Sequence, residues 1–229
     1  MSTGNEQYLK PSALCDFDCQ PQIRNRAVEL TSGCRSSEEM FQRVFAFVKE
    51  LPYGLEDWDV TASETLEKGW GMCSSKTNLL VALLRSLGIP ARYRVYRIRA
   101  EVSLWEWITR DNRELAERLG AAPTEQDHVD CEVWLGGWKA RDPSRDTPLE
   151  RGLGALGIPL EREALTDADG HVPYLTLACF DQWARRRQEG RMFREGREEI
   201  FTRANEQLWR IRAQAETRIR PLKKMRRRR

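Results

Sequence analysis

The sequence predicts an α+β fold in which one buried helix packs on an antiparallel sheet. Three observations predict it. Residues 74–87, "SSKTNLLVALLRSL", are apolar nearly all round, as a helix inside a core must be. Two segments, "ARYRVYRIR" and "HVDCEVWL", have strand composition, and Gly136-Gly137 turns the second back on "WKARDPS". Between loop and helix stands "GWGMC", which puts Cys73 at the start of the buried helix.

Each element has its own signal. Residues 1–35 are weakly patterned, with turn formers and scattered charge. The first clear helix starts at Ser36 or Ser37, because Ser36 and Glu39 have capping-box spacing. Phe41, Val44, Phe45 and Val48 make its apolar stripe, and Pro52 ends it. Residues 53–72 read as loop, with a helical turn at "SETLEKG". Gly88 and Pro90 stop the buried helix. The alternation of "ARYRVYRIR" slips at Val95–Tyr96, which predicts a bulge or burial on both faces. "NRELAERLG" reads as a short helix ending at Gly120. In the second strand, Val129, Cys131, Val133 and Leu135 share one face, and His128, Asp130, Glu132 and Trp134 the other. Residues 144–173 read as loop. From about Leu175 the pattern is helical, with Ile200, Ala204, Leu208, Ile211, Ala215 and Ile219 as a long stripe.

This gives an N-terminal segment 1–35, a main domain 36–180, and a C-terminal helix and tail 181–229. Residues 181–229 hold 17 Lys/Arg against 7 Asp/Glu, a balance of +10, while residues 1–180 hold 21 against 28, a balance of −7. A basic tail beside an acidic body suits docking on that body or on an acidic protein partner such as a carrier protein. Nucleic acid is the last expectation, because aromatic residues are sparse in the tail.

Composition excludes several classes. With 40% hydrophobic and 32% charged residues the chain reads as globular. It has no uncharged apolar run long enough to span a bilayer. The first residues lack a basic start and apolar core, so a cytoplasmic location with reduced thiols is expected. Cys15 and Cys19 have the spacing of half a zinc site, but no second pair follows, so no metal or other cofactor is expected.

The chemistry centres on Cys73. Unpaired N–H groups and the positive end of the helix dipole favour a thiolate there, and Gly69 and Gly71 leave room for a substrate. A catalytic thiolate needs a proton acceptor that later donates, usually imidazole. Only His128 and His171 exist, and His171 lies in a turn-like stretch. His128 begins a strand, and Asp142 ends the next. A two-residue Gly-Gly turn would pair Leu135 with Trp138 and put Asp142 on the opposite face from His128. An odd-length loop or a bulge, for instance one pairing His128 with Asp142, would unite them. Asp130 is the alternative carboxylate.

Glycine, glycine and Cys73 ahead of an apolar helix, "LLRSLGIPAR", a strand, His128 in "DHVDCEVWLGGW" and Asp142 in "ARDPS" together resemble the transglutaminase-like superfamily, over about residues 40–145. The resemblance implies a papain-like fold and a triad of Cys73 as nucleophile, His128 as acid/base and Asp142 as orienting carboxylate. It implies a thioester acyl-enzyme whose acyl group passes to water or an amine, in amide hydrolysis or small-molecule biosynthesis. Tyr53 and Trp58 are candidates for a second oxyanion donor beside the Cys73 N–H. Residues 100–127 are longer than such a fold requires. They read as a lid or pocket carrying Trp105 and Trp107, with Trp70 as a further wall of the pocket. The alternative is a binding or adaptor protein acting through its basic C-terminal helix.

Overall fold

A computed structural model describes residues 4–99, 102–119, 124–189 and 197–226, with the side chains at 119 and 215–226 outside that description. The helix end expected at Gly120 and the stripe residues Ala215 and Ile219 fall outside it, as do the side chains of the terminal basic run. After a single 3₁₀ turn the helices are α1 (Pro21–Thr31), α2 (Ser37–Glu50), α3 (Ala62–Lys68) and α4 (Cys73–Ser86). Strand β1 (Ala91–Arg99), helices α5 (Val102–Thr109) and α6 (Arg113–Leu119), and strands β2 (Glu125–Trp134) and β3 (Trp138–Arg141) follow. Helix α7 (Thr147–Leu156), strand β4 (Tyr174–Leu177), α8 (Asp181–Glu189) and α9 (Arg197–Arg226) complete the chain. The four strands form one antiparallel sheet in the order β3-β2-β1-β4. No helix is long and apolar enough to cross a membrane among the described residues.

The hydrophobic side chains gather in two cores. The first joins α1, α2 and α4 to the inner residues of the sheet: Ile23, Phe41, Val44, Leu80, Tyr93 and Val129 all belong to it. Every α4 residue from Cys73 to Arg85 is buried, as its all-round apolarity requires. The second core joins α5, α6, α7 and α9 through Leu104, Ile108, Leu115, Leu149, Leu153 and Leu208. Tyr53 packs against both and marks the seam.

Local chemistry sets the boundaries. Ser36 Oγ accepts from Glu39 N–H at 3.2 Å and caps α2, while the Glu39 carboxylate reaches back to Arg35 N–H at 2.7 Å. At α3 a full capping box forms between Thr61 and Glu64, and Gly69 closes the helix in the left-handed region at φ 72°. This element is a two-turn helix where the sequence suggested one turn. β1 and β2 pair without interruption from Ala91–Val133 to Arg99–Glu125, so there is no bulge at Val95–Tyr96. The slip is two-sided burial: Val95 faces the first core, and Ile98 is buried on the other face.

Three expectations are revised. Residues 14–31 supply Leu14, Phe17, Ile23 and Ala27 to the first core, and Asp181 ties this segment down by accepting from Ser12 Oγ, Ala13 N–H and Leu14 N–H. Residues 147–156 form α7, capped by Asp146 Oδ1 on Leu149 N–H at 2.9 Å. Its interior glycines masked it. Gly152 is there for packing, since a Cβ would stand 2.1 Å from the carbonyl oxygen of Ile211 in α9. Finally, Tyr174–Leu177 is an edge strand on β1, and the helical pattern begins only at Asp181.

Candidate active site

The first turn of α4 presents Cys73. No side chain at the helix's own N-cap residue, Met72, bonds back to the helix. Glu56 supplies the missing acceptor from the preceding loop. Its Oε1 accepts Met72 N–H at 2.8 Å and the Ser75 hydroxyl, and its Oε2 holds Lys68. The helical ladder starts at Lys76 N–H to Met72 O, so the N–H groups of residues 73–75 precede it. Gly71 is required beside this carboxylate, because a Cβ there would stand 2.4 Å from Ser75 Oγ.

β2 presents His128 as its fourth residue rather than its first. The β2–β3 register runs from Trp134–Trp138 to Cys131–Arg141, which leaves a three-residue loop, Leu135–Gly137, with Gly136 at φ 76°. The loop is odd, so His128 and Asp142 share a face. The register is two residues from the direct His128–Asp142 pairing used as an example: continued one residue past β3, it sets Asp142 opposite Asp130. His128 therefore reaches Asp142 diagonally, Nε2 to Oδ2 at 3.0 Å. The ring is buried, Tyr96 meets it edge-on at 5.3 Å between centroids, and it lines the same cleft as Cys73. With Nε2 on the carboxylate, Nδ1 is the nitrogen left for sulfur.

Burial opposes charge on the imidazole, but the Asp142 charge and hydrogen bond, with a smaller contribution from Cys73, outweigh it and hold the pKa at about 9. Asp142 moves the other way. Burial raises it, yet His128, Arg162 and Ser144 hold its carboxyl well below the usual range. Arg162 donates to Asp142 Oδ2 at 2.6 Å and to Ser144 Oγ at 2.6 Å, and Ser144 N–H donates to Asp142 Oδ1 at 2.9 Å. Asp130 is not the partner of His128. Arg94 binds it bidentately at 2.9 and 2.6 Å, and Tyr96 OH donates to it at 3.1 Å.

Cys73 and His128 open into a cleft at the seam between the two cores, about 840 Å³ with its open mouth included. Met72, Ile98 and Leu55 form its apolar walls, together with Leu104, Trp105 and Ile108 of α5 and Leu208 of α9. Gln126, Asp127, Arg162 and Arg187 are the polar lining, with Arg187 and Asp127 paired at 2.6 Å. Tyr53 and Trp58 line it as well. Tyr53 N–H and carbonyl are held by Asp146 and Arg212, and the Trp58 ring packs edge-on against Trp183.

Two of the three tryptophans expected in the pocket lie elsewhere. Trp70 packs over the backbone of Gly54, with the Lys68 ammonium 4.5 Å above its ring. Trp107 packs on the second core with the Arg110 guanidinium over its ring. Both stand outside the cleft; residues two apart on a helix point about 200° from each other, so the 105–107 pair cannot share one wall. Sequence reasoning missed Glu56, Arg162, Asp146 and Arg212. Asp146 had a signal, a capping aspartate before Thr-Pro; Arg162, in "IPLEREAL", had none.

Cys15 is buried, and burial pushes its thiol up to about 12; Cys19 is exposed. They form no ligand group. Among the described residues the group close enough to share a cation is Asp167, Asp169 and His171, all exposed.

A family model described as the transglutaminase-like superfamily matches residues 24–143, more than half the chain. Among solved structures, one from Cytophaga hutchinsonii described as a "putative cysteine protease" is similar at 18% identity and a TM-score of 0.45. The match covers 77% of this chain and 57% of that one, so this chain spans little more than half that protein's length. No curated protein matches. Sequence family and site geometry agree: this chain belongs to the transglutaminase-like superfamily.

Proposed function

We propose that the protein is a cysteine-dependent acyl-transfer enzyme with Cys73 as nucleophile, His128 as acid/base and Asp142 as the orienting carboxylate. One observation carries this reading: a single buried imidazole, bonded to a carboxylate at 3.0 Å, lines the same apolar cleft as Cys73 at the start of its helix. The sulfur, deprotonated by His128, adds to an acyl carbonyl. The oxyanion meets the Cys73 N–H at the helix start, with Tyr53 or Trp58 as the second donor. Collapse expels the leaving group, which takes a proton from His128, and leaves a thioester. Water or an amine then attacks, giving its proton to His128 and releasing the thiolate.

The cleft favours an apolar acyl group. Leu104, Trp105 and Ile108 of α5 and Leu208 of α9 supply one apolar wall, against Met72, Ile98 and Leu55. The adaptor alternative loses support from α9, whose Arg197, Arg203 and Arg212 are spent on Asp57, Glu114 and Asp146 of the same chain.

The test is mass spectrometry of the intact chain after incubation with acyl thioesters and aryl amides of increasing chain length. An acyl adduct on Cys73 is expected, released by water or an added amine, and absent in Cys73→Ala. Rapid iodoacetamide labelling of Cys73 at pH 6 is expected in parallel. Sluggish labelling, together with turnover retained in Cys73→Ala, would defeat the proposal.

A further inference from the structure

One buried cation takes no part in the chemistry described so far. Lys76 lies three residues after Cys73, on the same helix, and is fully buried. Its ammonium donates to three backbone carbonyls: Lys49 at 3.1 Å, Leu51 at 2.6 Å and Ser144 at 2.9 Å. The first two are at the C-terminal end of α2, immediately before the Tyr53 segment. The third belongs to the residue whose N–H holds Asp142 Oδ1 at 2.9 Å. A continuous path thus runs from the Cys73 helix through Lys76 Nζ, the Ser144 backbone and the Asp142 carboxylate to His128 Nε2.

We propose that Lys76 is a positioning residue of this site, its three N–H groups clamping the Asp142 loop and the end of α2 onto the helix that carries Cys73. Three donors meet three acceptors, a match that a neutral amine, with two N–H groups, cannot keep. Net charge does not explain the placement. The charged groups that act on it most are Asp146 at the start of α7, Lys49 on α2, Asp142 after β3 and Arg212 on α9, two of each sign. The carbonyl cage is what remains. Burial pulls the ammonium down to about 7, so the clamp loosens as pH rises through neutrality.

This proposal rests on the reading of Cys73, His128 and Asp142 as the reacting set, but its test reads the imidazole and not turnover, so the two can fail separately. The chain has only two histidines, and His171 is exposed, which makes it an internal reference. In the intact chain, NMR titration should show His128 with a main step near 9 and a smaller step near 7 as Lys76 loses its proton. In Lys76→Met, which keeps the aliphatic stem, the small step should vanish and the His128 signal at pH 6 should already hold the position that the parent chain reaches only above pH 7, with His171 unmoved. A folded Lys76→Met whose His128 titrates as in the parent chain overturns the proposal. Should that variant not fold, the parent chain decides alone: a single His128 step, with nothing near 7, overturns it equally.

Discussion

At His128 two opposed influences meet through one carboxylate oxygen. Asp142 Oδ2 accepts from the imidazole at 3.0 Å and from Arg162 at 2.6 Å, so the guanidinium competes for the charge that holds the ring protonated. The two neighbours should therefore act in opposite directions. Asp142→Asn removes what raises the ring and leaves its burial, so the His128 pKa should fall from about 9 to its ordinary value or below. Arg162→Ala removes a cation that lowers the ring, so the pKa should rise. Histidine NMR titration of both variants checks the pair; movement in the same direction would contradict this geometry. Glu56 is the second residue-scale control. Its carboxylate satisfies Met72 N–H and the Ser75 hydroxyl in front of Cys73. Glu56→Ala leaves the buried Met72 N–H without its acceptor and the Ser75 hydroxyl with only its longer bond to the Met72 carbonyl at 3.3 Å, and should cost about 1–3 kcal/mol in urea unfolding, with slower alkylation of Cys73.

Among elements, what matters for the cleft is how closely α7 and α9 approach. Gly152 lets them meet with no side chain between, and a Cβ would sit 2.1 Å from the Ile211 carbonyl oxygen, a backbone atom that cannot rotate away. Gly152→Ala should push the helices apart at a cost of about 1–3 kcal/mol or more. It should also shift Leu208 in the cleft wall, so under the proposed acyl-transfer function the preference among acyl chains should change along with thermal stability. Retention of both would contradict the packing. This contact also explains what was legible in the sequence. α2, α4 and β2 announced themselves because burial is written in their own periodicity, and Cys73, His128 and Asp142 followed from a helix start and a hairpin. α7 was hidden because it carries two interior glycines, poor helix formers, of which Gly152 answers to α9 rather than to helix propensity. β4, four residues long, is too short to show alternation. Arg162 acts across the fold on a carboxylate twenty positions away, so no local pattern points to it. Lys76 did leave a trace: a charged residue inside a helix apolar on every side must find partners, though spacing alone cannot say which.

For the whole molecule, stability against pH reports two of these groups at once, with opposite signs. His128 titrates near 6.5 when unfolded and near 9 when folded. Its contribution is therefore complete below about 6.5 and is lost as pH rises through 9, because over that window the folded chain binds the extra proton. Lys76 is the reverse: about 10.5 unfolded and about 7 folded, so between those values the unfolded chain binds the extra proton and stability rises with pH. Between pH 7 and 8 the two slopes oppose, and this lies below the ordinary thiol range, where Cys15 and Cys131, both pushed up by burial in the folded chain, begin to contribute. The parent chain should show a melting temperature nearly independent of pH there. Asp142→Asn abolishes the falling component, so its melting temperature should climb across the window. Lys76→Met abolishes the rising one, so its melting temperature should drop. Calorimetry at pH 7.0, 7.5 and 8.0 on the three proteins measures all three slopes. Slopes of the same sign in the two variants would mean that the imidazole and the buried ammonium do not hold the charges this site requires of them.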